Sequence, residues 1–184
     1  MTVHSRCGCL ALVVTIIAVA QPVLVAMQSA RVGGPLLPVS VAPVEEMHGD
    51  WRVACAPQDG KTVCVFSQQQ TNKDTGQLLL AIELRALLPD FADGTLILPF
   101  GLAVQRPIAL EINDTPIGTP LTVRTCLPVG CLVAVSLDAA MIASLKKAQS
   151  LAVRTTVDGG QSAVFTISLN GFANALERAA VLGR

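Results

Sequence analysis

Two short cysteine loops constrain this chain more than any other feature. The first runs Cys55-Ala-Pro-Gln-Asp-Gly-Lys-Thr-Val-Cys64 and is centred on Asp59-Gly60. Asp-Gly is a strong two-residue hairpin signal, because both central residues of a type I′ turn need positive φ. With the turn placed there, Gln58 faces Lys61, Pro57 faces Thr62, Ala56 faces Val63 and Cys55 faces Cys64. The pair beside the turn exchanges hydrogen bonds, and pairs alternate from there. Pro57 therefore falls where its missing N–H costs the pairing nothing, and the two cysteines share a non-hydrogen-bonded site. Cα atoms at such a site lie about 4.5 Å apart, near the lower end of the disulfide range. The second loop, Cys126-Leu-Pro-Val-Gly-Cys131, holds Pro128 and Gly130 between the apolar runs Leu121–Thr125 and Leu132–Leu137. It reads as a second stapled hairpin.

Disulfides belong to oxidising compartments, and the N-terminus supplies a route to one. His4 and Arg6 give a polar, positive start, Leu10 to Ala20 is apolar, and Ala18-Val19-Ala20 is a small-x-small cleavage pattern. Residues 1–20 are predicted to be a signal peptide, with a cut as late as 26–30 as the alternative. The run from Cys9 to Ala26 is about long enough to span a bilayer, but Gln21 and Pro22 interrupt it, which favours cleavage over anchoring. Cys7 and Cys9 precede the apolar core and leave with it, so no lipid-modified cysteine is expected. Cys55, Cys64, Cys126 and Cys131 remain, an even count that reads as two structural disulfides. Residues 21–49 hold Gly33-Gly34-Pro35, Pro38, Pro43 and Glu45-Glu46 and read as a flexible linker. The folded domain is expected over residues 50–184.

Within that domain, Asp50–Cys55 and Thr62–Gln68 form the first hairpin. Gln77–Ala86 alternates, with Leu78, Leu80, Ile82 and Leu84 on one face. Thr95–Leu98, Ile108–Ile112, Leu121–Cys126, Cys131–Leu137, Ser150–Val157 and Ala163–Leu169 read as further strands. Asp158-Gly159-Gly160 marks the last hairpin. Two segments carry helical spacing. Asp138 caps Ala139–Ala148, whose apolar stripe is Met141, Ile142 and Leu145, and Phe172–Leu182 stops at Gly183. The predicted fold is mostly β: an antiparallel sandwich or barrel-like domain with one or two short helices.

Several chemistries lack their residues. Thirteen basic residues balance thirteen acidic ones, and Lys146-Lys147 is the lone adjacent basic pair, so no nucleic-acid partner is expected. Five Phe, one Trp and no Tyr argue against platforms of stacked rings. Of two histidines, His4 leaves with the leader, and His48 is read as an exposed residue of the linker, a poor base for a nucleophilic triad. Neither cysteine pair is C-x-x-C, and a four-thiolate zinc site would need reducing conditions. No metal or cofactor is expected, no phosphate loop follows a strand, and membrane contact is expected through the signal segment alone. Asp90 and Asp93 form the nearest carboxylate pair, and both are read as turn residues around Phe91.

Five short motifs follow one another along the chain. They are Trp51-x-x-x-Cys55 followed by Cys64, Gln68-Gln69-Gln70, Leu98-Pro99-Phe100-Gly101, Cys126-x-x-x-Gly130-Cys131, and Ser168-Leu-Asn-Gly171-Phe172-Ala-Asn-Ala175. Together, over residues 50–178, they resemble the invasion-associated locus B family of exported proteobacterial proteins. The resemblance implies a periplasmic or surface-associated β-rich domain, with host-cell invasion as the property that named the family. It carries over no catalytic residue. It implies that the cysteines, Trp51 and the Leu-Pro-Phe-Gly and Asn-Gly-Phe segments form the fold. The chain is expected not to be an enzyme but to bind, or to serve structurally, at an envelope or host-surface protein or polymer. A hydrolase of envelope polymers using paired carboxylates is the alternative, and a solute-carrying pocket is third. A surface patch versus a deep cleft with converging carboxylates separates these readings.

Overall fold

The computed structural model describes residues 43–183. The predicted signal segment, the predicted cleavage site and most of the predicted linker lie outside the described residues. The elements in chain order are β1 (Val44–His48), β2 (Trp51–Gln58), β3 (Lys61–Thr71), β4 (Leu78–Leu88), β5 (Phe91–Leu98), β6 (Ile108–Ile112), β7 (Thr115–Leu121), β8 (Val123–Leu127), β9 (Gly130–Leu137), α1 (Ala139–Leu145), β10 (Ser150–Thr156), β11 (Ser162–Ser168) and α2 (Phe172–Leu182). They build two antiparallel sheets, one of seven strands in the order β1-β2-β3-β4-β5-β9-β8 and one of four in the order β11-β10-β6-β7. Helix α2 lies against β2, β3 and β4.

The first hairpin has the register that Asp59-Gly60 dictates: Gln58 pairs with Lys61 and Cys55 with Cys64. Asp59 and Gly60 both take positive φ, 50° and 76°. The disulfides join Cys55 to Cys64 with Cα atoms 4.1 Å apart, and Cys126 to Cys131 with Cα atoms 3.9 Å apart. Asp138 caps α1 through a 2.8 Å hydrogen bond from the Met141 N–H.

Three readings of the sequence are corrected. Residues 44–48, assigned to the linker, are an edge strand paired with β2. Its acidic residues hid it, and they are there because an edge strand needs few apolar side chains: Glu45 pairs with Arg52 and Glu46 with Arg178. His48 is accordingly a half-buried strand residue, its Nε2 3.3 Å from Glu46 Oε2. Strand β7 was missed because Pro116, Gly118 and Pro120 look like loop. It is an edge strand, where proline is tolerated, and a second positive-φ turn at Asn113-Asp114 leads into it. Strand β5 begins at Phe91 rather than Thr95, so the turn is Pro89-Asp90 alone. Asp93 sits within the strand, opposite Arg85 on one side and Ser136 on the other.

The core forms between the two sheets and under α2. The period of two puts Trp51, Val53 and Cys55 inside from β2, Leu80, Ile82 and Leu84 from β4, and Val133, Val135 and Leu137 from β9. The small sheet contributes Ile108, Leu110, Leu151, Val153 and Ile167. Trp51, Phe66 and Phe172 meet as a tilted trio with ring centroids 5.3–5.9 Å apart.

One joint stitches the layers above that trio. The Trp51 indole N–H donates to the Ser168 carbonyl at 2.9 Å. Gln68 donates to the same carbonyl at 3.0 Å, while its own amide oxygen accepts from the Ser168 N–H at 3.0 Å. Gln70 donates to the Thr166 carbonyl at 2.6 Å. Strand β11 is a sheet edge whose outward backbone groups have no neighbouring strand. The glutamines of β3 take that neighbour's place, which satisfies groups that would otherwise be buried unpaired or open to another chain. The Asp50 N–H donates to the Asn170 carbonyl at 3.1 Å, and Ser168 Oγ donates to Asp50 Oδ2 at 2.6 Å. The two turns approach so closely that a Cβ on Gly171 would overlap the His48 carbonyl, and φ there is +88°. A glycine is required on both counts.

Arg178 of α2 clamps β1 with Nε and Nη2 hydrogen bonds of 2.8 and 2.6 Å to Glu46. Those bonds hold the Glu46 carboxyl down at about 2, below its ordinary 4.5. A depressed carboxyl contributes stability above its unfolded value and loses it as pH falls through the folded one. Arg178→Met should therefore melt below the parent at pH 7, with the gap closing as pH falls from 4.5 towards 2. Thermal melts of both proteins across that range measure the gap; one that is constant with pH would contradict the assignment.

Candidate functional site

The outward face of the seven-stranded sheet carries the polar half of each alternation. On β4 the outward residues are Glu83 and Arg85; on β5 they are Phe91, Asp93 and Thr95; on β9 they are Ala134 and Ser136. The register sets Glu83 opposite Thr95, Arg85 opposite Asp93, and Asp93 opposite Ser136. These side chains form cross-strand rows on the floor of a groove of about 1000 Å³, with Val63 and Val65 of β3 beside them. Gly118 and Thr119 of β7, Asp138 and Met141 form further lining. Glycines shape the groove. A Cβ on Gly118 would sit 2.8 Å from the Met141 sulfur, so its absence lets β7 rest on α1. A Cβ on Gly94 would overlap the Glu83 carbonyl, so its absence draws β5 against β4.

Charge in the groove is unevenly matched. Arg85 Nη2 lies 3.5 Å from Asp93 Oδ1. That oxygen is closed off from solvent and accepts no hydrogen bond. Arg85 is the charge partner of that enclosed oxygen, and the Asp93 side chain, 37% exposed overall, meets the groove through the rest of its carboxylate. Glu83, two residues before Arg85 on the same face, is exposed. Elsewhere, the buried carboxylate Glu111 is consumed by Arg154, whose Nε lies 2.9 Å from both of its oxygens. Among the described residues no group of three or more His, Cys, Asp or Glu side chains is placed to hold a metal.

The residues singled out in the sequence divide between ends of the domain. Trp51, Gly171 and Phe172 belong to the joint and its aromatic trio. Leu98 is fully buried, and Gly130 packs against it: a Cβ there would lie 2.5 Å from the Leu98 carbonyl oxygen. The Leu-Pro-Phe-Gly and Cys-x-x-x-Gly-Cys segments are thus neighbours, where Leu98 pairs with Cys131. Phe100 departs from the fold-forming role expected of it. It is 57% exposed and, with Pro99, Pro128 and Val129, lines a shallow apolar hollow of about 280 Å³. Asp90 and Asp93 do not act as a pair. Asp90 stays in the turn, and Asp93 joins Glu83, Arg85, Thr95 and Ser136, which the sequence reading passed over. For Glu83 and Arg85 the signal was charge at alternate positions of a strand already read as alternating; Thr95 and Ser136 carried none.

The invasion associated locus B (IalB) protein family matches residues 51–180. An invasion protein B homolog of Brucella abortus is 43% identical over 143 residues, covering 77% of this chain and 82% of its own length. Invasion protein B of Bartonella bacilliformis is 32% identical over 145 residues, covering 77% of each chain. The crystal structure of invasion associated protein b from Bartonella henselae superposes with a TM-score of 0.71 at 30% identity, covering 76% of this chain and 96% of that one.

Because Phe100 is exposed and Leu98 buried, the two should respond differently to truncation. Phe100→Ser is expected to move the melting temperature by less than about 2 °C, while Leu98→Ala should cost about 2–5 kcal/mol. Paired thermal melts decide it; a large loss for Phe100→Ser would restore its structural role.

Proposed function

This chain belongs to the invasion associated locus B family, and from that premise we propose that it is an exported recognition module rather than an enzyme. It works in the periplasm or at the outer surface, binding an envelope or host-surface partner through the groove on its seven-stranded sheet. The relatives in Brucella and Bartonella are named as invasion proteins, and host-cell association is the role carried over from them. The single observation behind the binding role is the groove itself: about 1000 Å³, floored by Glu83, Arg85, Asp93, Thr95 and Ser136.

The hydrolase reading draws on the same face, since register places Glu83 and Asp93 diagonally across β4 and β5, with backbones about 7–8 Å apart. A general acid needs an apolar enclosure that keeps it protonated. Glu83 is exposed and Asp93 faces Arg85, so the arrangement favours recognition.

The test is made on protein recovered from its own organism. Mass spectrometry is expected to find an N-terminus between Gln21 and Arg31. The labelled protein should bind saturably to isolated envelopes or to intact host cells, and Asp93→Asn should weaken that binding. Intact Met1 in the membrane fraction would overturn export, and the absence of saturable binding to either surface would overturn the module.

A further inference from the structure

We propose that the groove takes a saccharide chain, neutral or nearly so, held by hydrogen bonds rather than by stacked rings. The inference rests on the recognition role and adds the chemical class of the ligand.

The floor decides against an extended peptide. Strands β3, β4, β5 and β9 each have a neighbour on both sides. Their backbone groups are spent in the ladders, so no strand can be added there and only side chains are offered. Those side chains alternate in hydrogen-bonding sense. Glu83 and Asp93 accept, Arg85 donates, and Gln58, Thr95 and Ser136 do both. Directly across β4 and β5, the donor Arg85 stands beside Asp93: Oδ1 is enclosed against the guanidinium, and the rest of the 37% exposed side chain leaves its carboxylate open to the groove. A vicinal diol answers such a pair at once: one hydroxyl donates to the carboxylate and the next accepts from the guanidinium. Few other ligands repeat donors and acceptors so densely while carrying no charge.

Charge and size narrow the class. Glu83, Asp93 and Asp138 outnumber the single cation Arg85, so a sulfated or phosphorylated polymer is repelled. The volume stands at the upper end of small-molecule sites, about 300–1,000 Å³, which leaves room for several linked rings rather than one. Phe91, Val63 and Met141 offer apolar surface to the C–H face of a sugar. One ring is no stacking platform, in keeping with the scarcity of aromatics, and recognition falls to the polar rows.

Isothermal titration of the exported chain with cellohexaose, N-acetylchitohexaose and a heparin hexasaccharide tests this. At least one neutral hexasaccharide should bind with a dissociation constant of about 1 mM or tighter. Asp93→Asn, which keeps the shape of the side chain, should weaken it about tenfold or more. Phe100→Ser, outside the groove, should leave it unchanged. Binding of the heparin fragment in preference to both neutral chains would overturn the proposal. So would the absence of neutral-glycan binding, or affinity indifferent to Asp93→Asn. If the glycans fail while binding to envelopes or cells persists and depends on Asp93, the ligand class falls and the recognition module stands. If surface binding fails as well, both fall.

Discussion

The backbone of Ser168 is the point on which this domain turns. It ends an edge strand, yet both of its main-chain groups are engaged: its carbonyl by the Trp51 indole and the Gln68 amide, and its N–H by the Gln68 oxygen. Gln68, with Gln70 donating to the Thr166 carbonyl beside it, does the work of a neighbouring strand, closing the small sheet against the large one without lengthening either. The aromatic trio beneath depends on the same contact, because Phe172 follows four residues later and Trp51 supplies both a ring and a hydrogen bond. Gly171 adds a steric condition, since the two turns meet backbone to backbone. The order of the motifs Trp-x-x-x-Cys, Gln-Gln-Gln and Ser-Leu-Asn-Gly-Phe thereby acquires one physical cause. They are three faces of one joint.

Much of the fold was legible because local chemistry and global structure agree. Asp59-Gly60 fixed a hairpin register to the residue. Asp138 announced α1, and the spacing of Phe172, Leu176 and Ala180 announced α2. What escaped was one edge of each sheet. Strands β1 and β7 bury little, so they owe no alternation of apolar residues; their sequences advertise charge and proline instead. The partners that make them strands, Arg52 and Arg178 for β1 and the Asn113-Asp114 turn for β7, lie elsewhere in the chain or in backbone angles.

The candidate site was less legible for a related reason. Reading a strand for its core face discards the other face. Glu83 and Arg85 were visible as charges at alternate positions of an apolar run, but nothing in the sequence says that Asp93 and Ser136 come to lie beside them. That depends on β9 pairing with β5, strands far apart in the chain. The result is a division of labour. Motif residues hold the joint and the Leu98–Gly130 contact, and the groove is made by residues outside those motifs. Phe100 belongs to neither, exposed at the edge of a stapled hairpin.

Equilibrium denaturant unfolding of Gln68→Leu, with Gln69→Leu as the reference, tests the joint most directly. Gln69 is the solvent-facing neighbour, so its replacement should matter little. Leucine at position 68 leaves the Ser168 N–H without its acceptor and the carbonyl with one donor fewer, at a site where Gln68 is 6% exposed. Gln68→Leu should lower unfolding free energy by about 2–4 kcal/mol relative to the reference, with an unchanged denaturant slope. A difference within about 0.5 kcal/mol would show that the two sheets hold together without this contact.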